Sequence, residues 1–218
     1  LSADISLNRD YRSTPQIVNY ANRVLKASPQ RDDYLVLQSG REQGPRVTQT
    51  VYASDTEEAQ GVAMRIAKLA SQGVSPSDCA ILTRINAQQQ ILCKALQEQH
   101  LRYRMRRDSG WQNSALADDA QTRLAMLEAL GVGSDMNGVT ISTIHASKGL
   151  EFKHVFLIGC SEGLLPYGSP QDGDQLEEER RLLYVGVTRA EDTLHLSYAR
   201  SKDCLNDGRG RRVSRFLS

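Results

Sequence analysis

The string STIHASKGLEF, residues 142–152, holds an imidazole, an ammonium and a carboxylate within seven positions, His145, Lys148 and Glu151, around Gly149. Lys148 could meet a phosphate as a point charge, Glu151 could accept from sugar hydroxyls, and His145 could reach a second ligand. Lys148 precedes its glycine, and no G-x-x-x-x-G-K-[ST] surrounds it, so this is not the usual phosphate cradle. Taken alone, the string also reads as a solvated loop. In NRDYRSTPQI (8–17), Tyr11 and Arg12 stand just before a helix cap. They offer a flat face for a base and a fork for a phosphate, at a helix N-terminus that favours anions. A packed or surface aromatic is the plainer reading of Tyr11. In EEERRLLYVGVTRA (177–190), Leu183, Val187 and Ala190 form a packing stripe with Arg189 beside it. A planar, permanently charged fork there suits bidentate phosphate recognition. The alternative is a surface helix with an i, i+4 pair from Glu177 to Arg181. Arg102, Arg104 and Arg106 recur at period two, and Arg209, Arg211, Arg212 and Arg215 crowd the tail. Either set could meet a phosphate backbone, and either could be a solvated face.

The elements that must hold these groups alternate between two periods. Helical patterns run over 13–27 with Pro15 in the first turn, 54–73 with a capping box from Ser54 to Glu57, and 86–99 with Asn86 as cap. Others cover 115–130 and 176–190. Strand patterns fall at 46–53, 79–84, 101–106, 139–144, 154–159 and 193–199. Runs such as AIL and VFLI lack polar alternation, which suits strands buried on both faces. Interleaved with helices, they predict an α/β fold with a parallel sheet covered on both sides. Ligands in such sheets sit beyond the carboxyl ends of strands, and both 145–151 and Arg84 with Asn86 follow strands directly.

A chain of 218 residues, 39% hydrophobic and 24% charged, has room for one large domain or two small ones. A net charge of +1 confines any nucleic-acid site to a local patch. No apolar run approaches the roughly 20 residues of a membrane span, and the first residues lack a signal-peptide pattern. The first residue is not Met, which suggests a segment of something longer. Cys79, Cys93, Cys160 and Cys204 form no C-x-x-C pair, which reads as reduced thiols in a cytoplasmic protein. The four histidines show no metal spacing with them, so no metal site is expected.

Three strings in one order are more specific than any alone. DYRSTPQIVNYAN, VTISTIHASKGLEFKHVFLIGCSEGLLP and EEERRLLYVGVTRA together resemble the C-terminal motor motifs of UvrD/Rep-type superfamily 1 DNA helicases. CAILTRINAQQQILCKALQEQHLRYR is similar to the segment between the first two, and RRVSRFLS to the usual end. The resemblance implies a second RecA-like domain over 1–218, P-loop NTPase-like but without its own P-loop. It implies ATP bound between two such domains and 3′ to 5′ motion along single-stranded DNA. Carried over, Tyr11 would stack near the adenine, Arg12 would contact the γ-phosphate, and Arg189 would be the arginine finger. Glu151 would hold the sugar, with Lys148 and Gly149 near the phosphates. Thr143, His145, Arg84 and Asn86 would face the DNA.

Two departures qualify this. There is no Walker A motif, acidic Mg²⁺ pair or glutamine motif; these belong to the family's first RecA-like domain. The implied partner is therefore an N-terminal RecA-like domain of the same longer chain, which would bind Mg²⁺. Alone, this chain should bind ATP weakly and hydrolyse none. Relatives also insert a large helical subdomain where only residues 112–138 stand here, either a naturally reduced insertion or what is left after its removal. Trp111 lies near a family aromatic. The competing class is a non-hydrolysing DNA-binding or docking module, against which the retained nucleotide set argues. A motor coupled to a nuclease outside this chain is a third possibility.

Overall fold

The computed structural model describes residues 10–34, 36–108, 137–168, 170, 173–201 and 210–217. The expected helix at 115–130, Trp111, Cys204 and Arg209 lie outside them. Six strands form one sheet: β3 (Thr48–Ser54), β4 (Cys79–Thr83), β5 (Tyr103–Arg106), β6 (Val139–Thr143), β7 (Phe152–Leu157) and β8 (Ala190–Ser201). Their order is β3-β8-β7-β4-β6-β5, and every neighbouring pair is parallel. A separate parallel pair joins β1 (Asp10–Tyr11) to β2 (Gln38–Ser39). All five residues of β4 and of β6 are buried, as strands covered on both faces should be.

Helices α1 (Pro15–Lys26) and α4 (Gly173–Val187) cover one face, packing Ile17, Val24 and Leu183 on Leu82, Leu157 and Leu196. Helices α2 (Asp55–Ser71) and α3 (Gln89–Glu98) cover the other, packing Val62, Ile66 and Leu92 on Ile81, Ile141 and Phe156. The alternation of Cys79 and Ile81 against Ala80 and Leu82 sends one strand's side chains into both layers. Ser54 caps α2 as its pattern predicts, accepting from the Glu57 amide at 3.2 Å.

Two local expectations need correction. Asn86 does not cap α3. Residues Asn86–Gln88 form a 3-10 turn, and Gln88 Oε1 holds it by accepting from the Arg84 and Ile85 amides at 2.8 and 3.0 Å. Asn86 Oδ1 accepts instead from the Asp108 amide. The pair from Glu177 to Arg181 also gives way. Glu177 is buried, accepts from Ser28 Oγ, and takes Arg180 Nε at 3.3 Å. Arg180 reaches on to the Val24 carbonyl, while Arg181 points outward to Tyr34 and Gln30. The acidic stretch of α4 is thus partly a fastening to α1.

His195 stacks on Phe156 at 4.7 Å between centroids, and its Nδ1 lies 2.6 Å from Thr48 Oγ1. Burial, helped by Arg65 and His154, pushes its pKa down to about 4. The unfolded chain takes that proton near pH 6.5. Stability should therefore be full above pH 6.5 and fall as pH drops toward 4, by up to about 3 kcal/mol. Urea midpoints across that window should show the slope, and His195→Gln should flatten it.

Candidate functional site

The register divides the predicted residues between two edges of the sheet. Phe152 opposite Ala190 marks the amino edge of β7 and β8. Thr83 opposite Thr143 marks the carboxyl edge of β4 and β6. Parallel β6 ends at one edge and parallel β7 begins at the other, so residues 144–151 must cross the sheet. The crossover has only one 3-10 turn, His145–Ser147, with Ile144 and Leu150 set into the core under α1 and α4. The sequence expectation that all the polar chemistry lies beyond carboxyl ends is corrected. Glu151 and Arg189 stand at the amino edge, because they precede strands rather than follow them.

At the amino edge the Arg189 guanidinium ties three segments together. Nε donates to the Val185 carbonyl and Nη1 to the Leu150 carbonyl, each at 3.0 Å, while Nη2 donates to Thr188 Oγ1 at 3.3 Å. Its own carbonyl accepts from the Phe152 amide at 2.9 Å. Arg12 is brought alongside by the docking of the chain before α1. Ser13 Oγ donates to the Ala190 carbonyl, and the Thr14 amide to that of Glu191. Arg12 Nη1 lies 3.5 Å from Glu151 Oε2, yet the Arg12 side chain is 80% exposed. Arg41, which the sequence reading missed, fastens this corner by donating to the carbonyls of Arg12 and Glu191 and to Asp192 Oδ1. Lys148 and Gly149 are exposed on the same crossover, Gly149 at φ +83°, where a side chain would be strained. The Tyr11 backbone lies in β1, next to this corner.

At the carboxyl edge Arg84 forks Glu179 of α4, Nε to Oε2 at 2.9 Å and Nη2 to Oε1 at 2.6 Å. The ring of Tyr167 covers the guanidinium at 5.1 Å. Thr143, His145 and Asn86 gather nearby around Asp108, which no motif pointed to. Arg106 Nε donates to the Ala146 carbonyl and Arg104 Nε to Thr140 Oγ1, so these period-two arginines bind protein. In the tail, Arg215 is paired with Glu162 at 2.9 Å. Cys79 and Cys160 are buried and Cys93 partly buried, all as free thiols.

A six-stranded parallel sheet with helices on both faces, as here, is the architecture of a RecA-like domain. The chain belongs to the UvrD-like helicase C-terminal domain family, whose profile matches residues 5–110 and 119–201. The ATP-dependent DNA helicase UvrD2 of Mycobacterium tuberculosis is 33% identical over 292 aligned residues, taking in 100% of this chain and 41% of that protein. The ATP-dependent DNA helicase Rep of Salmonella typhimurium is 41% identical over 92 residues, 42% of this chain and 14% of the relative. The chain thus spans 41% of the UvrD2 protein's length. A crystal structure of the C-terminal domain of a possible DNA helicase from Lactobacillus plantarum shares the fold, with a TM-score of 0.58 at 22% identity over 96% of this chain and 93% of that one. Among the described residues no helix is long and apolar enough to cross a membrane.

Proposed function

We propose that this chain is the second motor domain of an ATP-dependent single-stranded DNA translocase or helicase moving 3′ to 5′. The observation that carries the reading is the crossover 144–151, which joins the two edges of one sheet. ATP lies at the amino edge, between this domain and an N-terminal RecA-like domain of the same longer polypeptide that also holds Mg²⁺. The groups at that edge fit it: exposed Arg12 and Lys148 for phosphate, and Glu151 for sugar hydroxyls, beside the Arg189 fork. The bound nucleotide supplies the phosphoanhydride bond to be cleaved. Arg12 leaves Glu151 to meet phosphate, and Arg189 balances charge that builds on the transferring group. Tyr11 lies against the base, and Gly149 lets the backbone come close. DNA lies at the carboxyl edge on Thr143, His145 and Asn86, with Arg84 offering Nη1 to a phosphate. Residues 112–138 stand as a reduced insertion in place of a larger helical subdomain.

Arg12→Ala tests the reading. An ion pair this exposed contributes under about 1 kcal/mol, so the melting midpoint should hold. DNA-stimulated ATP hydrolysis by the full-length protein should fall by about 10²-fold or more. Unchanged hydrolysis refutes the assignment of Arg12. A full-length protein that binds DNA but hydrolyses nothing would instead be the docking module.

A further inference from the structure

We propose that the Asp108 carboxylate occupies the seat of a nucleic-acid phosphate, and that single-stranded DNA must displace it to reach Thr143. The inference rests on the assignment of the carboxyl edge to DNA. Thr143 Oγ1 donates to Asp108 Oδ1 at 2.5 Å. His145 Nδ1 stands 4.0 Å from Asp108 Oδ2. Asn86 Oδ1 accepts from the Asp108 amide at 3.2 Å. Three of the four residues assigned to DNA therefore meet at one acidic residue.

Burial turns this convergence into a gate. Thr143 is 0% exposed, so its hydroxyl meets no phosphate from solvent while Asp108 is in place. The side chains of Asp108 and His145 are 35% and 47% exposed, so the seat opens to solvent on their side. A carboxylate and a phosphodiester each present one negative charge over two acceptor oxygens, and a hydroxyl with an imidazole nitrogen serves either. The Thr143 hydroxyl also accepts from the Ala146 amide at 3.2 Å, so one of its two lone pairs is tied to the crossover turn while its proton is what the seat offers an acceptor. The end of β5 is fastened to the same turn, Arg106 Nε to the Ala146 carbonyl at 3.2 Å. Displacing Asp108 therefore acts on the first residues of the crossover as well as on the seat. Wild-type affinity for DNA is set below what the seat would give if it were empty.

The test measures binding of a fluorescent oligothymidylate to the full-length protein by anisotropy. Asp108→Asn, which keeps the shape and loses the charge, should tighten binding about tenfold. Asp108→Ala should do the same, and thermal melts of both variants check that the fold is kept. In a Thr143→Val background the gain should vanish, because the hydroxyl it exposes is gone. A gain that persists there is a general charge effect and overturns the proposal. Asp108→Asn binding as wild type or more weakly also overturns it, and makes Asp108 a support that orients its neighbours. If Thr143→Val and His145→Ala both leave affinity unchanged, the assignment of this edge to DNA fails and the proposal falls with it.

Discussion

Full-length protein carrying Arg189→Ala is expected to hydrolyse ATP about 10³-fold more slowly at saturating DNA. The geometry says why the loss should be in kcat. A guanidinium has five N–H donors, and three are spent on Val185, Leu150 and Thr188. Those three bonds hold the plane of the fork, so in the proposed ATP site the two remaining donors would meet a phosphate without further ordering. A contact made chiefly in the transition state lowers kcat and leaves KM for ATP nearly unchanged. The same bonds also create a structural rival. Each orphaned carbonyl costs about 1 kcal/mol, so Arg189→Ala should lower the melting midpoint as well. Arg189→Lys separates the two roles, since it keeps the charge but lacks the fork. If the lysine variant keeps wild-type kcat, Arg189 is a brace and not the finger.

The largest stability effect is expected from Glu179→Ala, about 3 kcal/mol by urea denaturation of the chain. The side chains of Arg84 and Glu179 are 15% and 11% exposed, against 80% for that of Arg12. Removing the carboxylate leaves a guanidinium under Tyr167 with no counter-charge. Glu179→Gln keeps one acceptor oxygen and should cost less. Replacing both partners with apolar residues of like volume should recover most of the loss, because desolvation of two ions is then avoided. A Glu179→Ala change under about 0.5 kcal/mol would mean that water reaches the pair freely.

The fold was largely legible because its signals are local. The unbroken apolar runs at Ala80–Leu82 and Val155–Ile158 read as doubly covered strands, and Ser54 with Glu57 marks a helix start by spacing alone. Which edge each group occupies was not legible. Strand direction follows from pairing register, and nothing in residues 144–151 shows by its period that it crosses a sheet without a helix. Asp108 was invisible for a related reason. Its meaning comes from Thr143, 35 residues away, and from Asn86 on another strand's exit. Arg84 was read only as a group facing DNA, and its fork with Glu179 was not legible because Glu179 lies 95 positions on.

The crossover also has a length. From Thr143 to Phe152 the chain can reach about 25 Å once the 3-10 turn is taken up. It must descend a strand of roughly 17 Å and pass sideways over two strand spacings of about 4.8 Å each. That diagonal of about 20 Å, plus the climb over the core face, leaves a few ångströms of slack. A pull on His145 larger than that must arrive at Glu151 or melt the turn between them. The segment behaves as a nearly taut cord, and its stroke is set by residue count, so one inserted residue should uncouple the two ends more thoroughly than most substitutions.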